Sequence, residues 1–188
     1  MWLLVASNAG AQDHGDGGRV RAGLDAAGGV GVGAGASGPL YGLRARLGWQ
    51  FNRRIAAYVQ GDVFWWDSSE ISGRDGATAK GSIGLHVTPM LSLTSADVVE
   101  IAAGPSLDRL AVLSSSVPLS DAASHDSLAV YAHSYPGAHS RVAVHVFGHP
   151  ETDTDRRTSF AIGGDIHTTF AAGIVVAFFT IGVGAEWY

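Results

Sequence analysis

With 188 residues the chain has the length of one domain or one closed barrel. Hydrophobic residues make up 46% and charged residues only 15%, well under the roughly 25% of ordinary soluble domains, so charges are too few to cover a fully water-exposed surface. A formal charge of −5 leaves no basic footprint for nucleic-acid binding, and the lack of cysteine excludes a disulfide framework or a thiolate metal site.

In chain order, Trp2 to Ala6 is a short apolar run ahead of Ala9-Gly10-Ala11, a pattern like an export-signal cleavage site. Residues 1–18 therefore read as a signal remnant, or a plain tail, with a polar leader, and 19–188 as the folded unit. From Arg19 a period of two begins, the mark of a β-strand whose side chains alternate between faces. Val20, Ala22, Leu24, Ala26, Gly28, Val30 and Val32 fall on one side, with Arg19, Arg21, Gly23 and Asp25 on the other. The run fades into Gly33 to Gly38, and Pro39 marks a turn.

The clearest element follows. Tyr41, Leu43, Ala45, Leu47, Trp49 and Phe51 alternate with polar or small residues including Arg44 and Arg46, and after a turn at Asn52 to Arg54 the series resumes with Ile55, Ala57, Val59, Gly61, Val63 and Trp65. This spacing predicts an antiparallel hairpin. Asp67 to Gly76 reads as a polar loop. Further runs cover Ala77 to Thr88, Val99 to Asp108, Arg141 to Phe147, Ser159 to Phe170 and Val175 to Trp187, with Pro105 an unusual strand residue because it cannot donate to a ladder. Ser114 to Ala138 loses the period and reads as a long loop, with local structure expected around Leu128 to Tyr131.

Eight runs of about ten residues suit a tilted bilayer crossing, which takes roughly 9–11 residues. The predicted fold is all-β, an eight-stranded antiparallel up-and-down transmembrane β-barrel. With the N-terminal end periplasmic, strand direction places Tyr41, Trp65 and Phe170 at one rim and Trp49, Phe51, Phe160 and Trp187 at the other, two aromatic girdles on the apolar face. The opposite face collects Arg21 and Asp25 with Arg44, Arg46, Asp62, Lys80, His86, Glu100, Asp108, Arg141, His145, Asp165, His167 and Glu186. Their near-balance of charge predicts a lumen plugged by ion pairs. The rival is a transmembrane helix over Thr168 to Ala185, 18 residues without charge, but its Gly, Val, Ile, Thr and Phe favour strands.

The ending TIGVGAEWY, the hairpin GLRARLGWQFNRRIAAYVQGDV and FAIGGDIHTTF resemble the small outer-membrane β-barrel proteins of Gram-negative bacteria, particularly myxobacterial ones, over roughly Arg19 to Tyr188. The resemblance implies the outer membrane as location, its lipid and lipopolysaccharide as surroundings, insertion by the barrel-assembly machinery, and a monomer without cofactor. One departure stands out: such chains end on an aromatic residue of the apolar face, whereas Tyr188 falls in the polar phase after Trp187.

His86, His145 and His167 share the inward face with carboxylates, so a metal site is conceivable, but no HxH or HExxH spacing occurs and hydrogen-bonded packing is the simpler reading. A lipid A-modifying hydrolase would need a serine, a histidine and a carboxylate together near the outer rim. His133-Ser134 and His139-Ser140 offer pairs, yet adjacent strand residues point to opposite faces. A soluble calycin-like ligand-binding barrel is the third alternative. The leading expectation is a non-enzymatic structural or surface-interaction barrel, with Asp67 to Gly76 and Ser114 to Ala138 facing outside the cell and carrying any recognition.

Overall fold

The computed structural model describes residues 19–33, 36–52, 54–67, 71–72, 78–95, 98–114, 131–147, 158–171 and 174–187. The expected leader, residues 1–18, lies outside them, as does Tyr188. The strands are β1 (Arg19–Gly33), β2 (Ala36–Gln50), β3 (Ile55–Trp66), β4 (Ile71–Ser72), β5 (Thr78–Ser95), β6 (Val99–Ser114), β7 (Tyr131–Phe147), β8 (Thr158–Ala171) and β9 (Ile174–Trp187). Every neighbour is antiparallel, β1 pairs with β9, and β3 with β5, so all strands but the two-residue β4 close into an eight-stranded barrel. Thr168 to Ala185, the helix rival, is strand in β8 and β9.

Rungs followed along the outer wall from Val20 through Trp49, Ala57, Leu91, Ala103, Ser140, Ile166 and Phe179 return to β1 at Val30. A stagger of ten residues over eight strands tilts them by about 40°. β1 starts and β9 finishes at one end of the barrel, called the turn end; β3 and β6 finish, and β5 and β7 start, at the other, the loop end.

Burial is inverted relative to a soluble barrel. Ile181 is 69% exposed, Leu47 63% and Leu43 62%, while Gln60, Glu100 and Glu186 are fully buried. Leu43, Val59, Ile83 and Ile181 therefore share no core, and a wall of exposed Leu, Val, Ile and aromatic side chains around a polar interior is the partition of a transmembrane barrel.

Four sequence expectations need correction, the first being the loop over Asp67 to Gly76, within which Ile71–Ser72 pairs with Ala79 and Thr78 as β4. Pro39 is not the turn: it lies in β2, opposite Val30, and the two strands are paired as far as Gly33 and Ala36. The fourth run continues to Ser95, through the outward residues Pro89, Leu91 and Leu93. Tyr131 to Ala138 is strand, not loop. Its outward residues Ser134, Pro136 and Ala138 carry little hydrophobic contrast, and it is fixed by pairing with β6 from Val112 to Pro105. Residues 115–130, with most of the local structure expected there, lie outside the described residues. Pro105 is in β6 as expected, and β5–β6 pairing skips the rungs between Val87–Leu107 and Leu91–Ala103. Pro89 and Pro105 face each other in that gap, and neither has an N–H to donate.

Candidate functional site: the filled lumen

The inward face is organised by register. Asp25, Arg44, Asp62, His86 and Asp108 are consecutive rung partners across β1, β2, β3, β5 and β6, so alternating strands place acid, base and imidazole side by side. Six buried carboxylates (Asp25, Asp62, Glu100, Asp108, Asp165, Glu186) meet four guanidiniums (Arg21, Arg44, Arg46, Arg141) and four imidazoles (His86, His139, His145, His167).

Nearest the turn end, the Arg21 guanidinium bridges Glu100 and Glu186 and lies 5.1 Å from the centroid of the Tyr58 ring. Tyr58 Oη donates to Glu100 at 2.8 Å, and Tyr58, Met90 and Ala102 form a small apolar layer. At mid-height Arg46 reaches Asp25 at 3.1 Å and Glu186 at 2.8 Å, while Arg141 reaches Asp25 at 3.3 Å and Asp165 at 3.4 Å. Arg44 pairs with Asp165 and, at 3.3 Å, with Asp62. Arg141 fits because a Cβ on Gly163 would lie 2.9 Å from its Cζ, so only a glycine leaves the guanidinium its place.

Above this lies a histidine chain. His139 Nε2 is 3.0 Å from Asp165, the Nδ1 atoms of His139 and His167 are 3.0 Å apart, and His167 Nε2 is 2.9 Å from Asp108, which also accepts from Thr169 Oγ1 at 2.7 Å. His86 stacks on His167 with centroids 3.6 Å apart. Ala36, Leu40, Phe64, Trp66, Leu110, Val176 and Phe178 close the loop end as an apolar plug. One void between these layers, lined by Arg44, Asp62, His86, His139, His167 and Phe178 among others, measures about 30 Å³, room for about one water.

Of the lumen residues named from sequence, Arg44, Arg46, Asp62, His86, Glu100, Asp108, Arg141, His145, Asp165, His167 and Glu186 are all buried and drawn into this network. Lys80 is on β5, and its side chain lies outside the described residues. His139 was missed, although counting back in twos from Arg141 reaches it. So was the loop-end apolar plug, whose residues Phe64 and Trp66 sit in the polar phase of β3. The girdle residues Tyr41, Trp49, Phe51, Trp65, Phe160, Phe170 and Trp187 are each 43–59% exposed on the outer wall. At about 3.3 Å per residue and the tilt above they fall at two levels about 25 Å apart, and Phe179 joins the loop-end level.

The chemistry open to this interior is limited by packing. His86, Asp108 and His167 lie close enough to bind one ion, but rings stacked at an interplanar angle of 7° have no common plane in which a metal could meet both nitrogens. Glu100, His145 and Glu186 form a second such group, with Arg21 already between the carboxylates. Ser159 Oγ, His145 and Glu100 stand in hydrogen-bond order at 3.2 and 2.9 Å, an arrangement like a nucleophile, base and orienting acid, yet none of the three is more than 3% exposed. His139 is buried and Ser140 exposed, so that pair faces opposite solvents; His133 and Ser134 are both exposed.

No protein-family model matches the chain, and no curated protein matches it by sequence. Among solved structures, Neisserial surface protein A superposes with a TM-score of 0.58 at 12% identity, covering 90% of this chain and 97% of that one. The attachment invasion locus protein Ail of Yersinia pestis, in complex with the heparin analogue sucrose octasulfate, gives 0.53 at 10% identity, covering 90% and 98%. At such identities the likeness is one of fold, and that fold is the closed eight-stranded antiparallel barrel of small bacterial outer-membrane proteins.

Proposed function

We propose that the chain is a monomeric resident of the bacterial outer membrane that acts as a structural and surface-interaction element, without catalysis and without solute conduction. The loop end faces outside the cell, and connections 67–77 and 115–130 present its recognition surface, since short turns are periplasmic and longer loops extracellular in such barrels. The observation that carries this reading is the filled lumen: buried ion pairs and histidines are stacked between two apolar layers. The Ser159, His145 and Glu100 constellation supports the non-catalytic part, because a nucleophile sealed within the wall has no approach for a substrate.

The test is electrical. The full chain refolded into a planar bilayer is expected to give no resolved single-channel current, while its gel mobility without heating differs from that after boiling, as for a closed barrel. Discrete conductance steps from the purified protein would overturn the closed-lumen reading, and recovery in the soluble fraction of cells would overturn the membrane one.

A further inference from the structure

Along the outward faces of the strands every described residue is apolar, small or hydroxyl-bearing, with one exception: Arg109, in β6. It is exposed, and no carboxylate among the described residues pairs with it. Its rung partners are Leu85 and Ser134. By the rise and tilt of the strands it lies about 27 Å above Val20, level with Tyr41, Trp65 and Phe170 at the loop end. A cation on the lipid-facing wall is costly at the bilayer midplane and tolerated at its interface, where headgroup phosphates lie.

We propose that Arg109 is the headgroup anchor of a lipid site that takes a phosphorylated glycolipid of the outer leaflet, resting on the membrane placement and orientation argued above. Three features fit that amphiphile. The guanidinium offers paired donors to a phosphate, the exposed Ser134 adds a hydroxyl beside it, and Leu107 and Leu85, 62% and 45% exposed, lie below it on the wall as a floor for acyl chains. With every other outward position uncharged, the anionic headgroup has one place on the described wall to dock.

The test uses the full chain in phosphatidylcholine nanodiscs doped with lipid A, with lipid A stripped of its phosphates, or with phosphatidylglycerol, the retained lipid being counted by native mass spectrometry. Wild type is expected to retain lipid A about fivefold over the dephosphorylated form. Arg109→Gln loses that preference and Arg109→Lys keeps most of it. Heat-modifiable gel mobility verifies folding of each variant. Equal retention by wild type and Arg109→Gln, no discrimination between the two forms of lipid A, or equal retention of phosphatidylglycerol overturns the site while leaving the membrane reading intact. Failure of the wild-type chain to insert overturns both. Should Arg109→Gln fail to fold, the comparison of lipid A with its dephosphorylated form on wild type still decides.

Discussion

Arg141 is the side chain on which the interior charge balance can be tested. It is 1% exposed and lies 3.3 Å from Asp25 and 3.4 Å from Asp165. Arg141→Met keeps an unbranched stem of four heavy atoms but removes the cation, leaving two buried carboxylates short of a partner. Breaking a buried pair in this way costs about 3–5 kcal/mol. The lower end applies here, because Arg46 still reaches Asp25 at 3.1 Å and Arg44 still reaches Asp165. Tryptophan fluorescence during urea unfolding from phosphatidylcholine vesicles would read this out. At a slope of about 2 kcal/mol per molar urea, a loss of about 3 kcal/mol lowers the midpoint by roughly 1.5 M. Adding Asp165→Asn restores the balance and should return more than half of the loss. A single-variant loss below about 1 kcal/mol, or a double variant equal to the sum of its parts, would refute the argument that these charges depend on each other.

Other perturbations probe the remaining layers. A Cβ on Gly84 would lie 2.0 Å from Phe64 Cζ, and Phe64 is held between His86 and Phe178 with ring centroids at 4.3 and 4.8 Å, so Gly84→Val should cost about 1–3 kcal/mol in the same unfolding assay, and Phe64→Leu should recover part of it. On the outer wall, Ile181→Arg, near mid-height, should cost about 2–4 kcal/mol and Val175→Arg, near the loop end, about 0–1; equal costs would contradict the assigned belt. Pro105→Val supplies an N–H opposite the Pro89 carbonyl and should stabilise by about 0.5–1.5 kcal/mol, with slow amide exchange at residue 105; a lowered midpoint would show that the gap in the ladder is not due to the missing donor.

The wall was more legible in the sequence than the interior. Leu43, Leu47, Val59 and Val63 announce their strands because the lipid-facing series of this hairpin is apolar or small throughout, and the period of two then assigns every residue between them to the inside. Where that contrast weakens, the reading fails: Ser134, Pro136 and Ala138 look like loop, and their place in β7 comes from β6, a long-range pairing with no local signature. The inward set could be read by parity, yet which charges touch could not. Arg21 meets Glu100 and Glu186, far apart in sequence, only because the ten-residue stagger brings β1, β6 and β9 to one level. His139 was hidden for a different reason, since it precedes the recognisable run by a single step of two.

The register itself explains why so small a lumen is charged. Replacing buried ion pairs by well-packed apolar side chains is often neutral or stabilising, so net stability is a weak reason for six carboxylates and four guanidiniums to face inward. A wall apolar on both faces, however, would present the same surface to lipid after a one-residue slip. Here a slip of β3 would turn Gln60 and Asp62 into hydrocarbon and bring Val59 and Val63 against Arg44 and Arg46, with each ionised group displaced to mid-bilayer costing up to about 2–4 kcal/mol. Repeated over the strands, that penalty separates the observed pairing from its neighbours by far more than any single ion pair stabilises it. The interior charges thus define which face of each strand meets the membrane, and the filled lumen follows from the pairing those charges require.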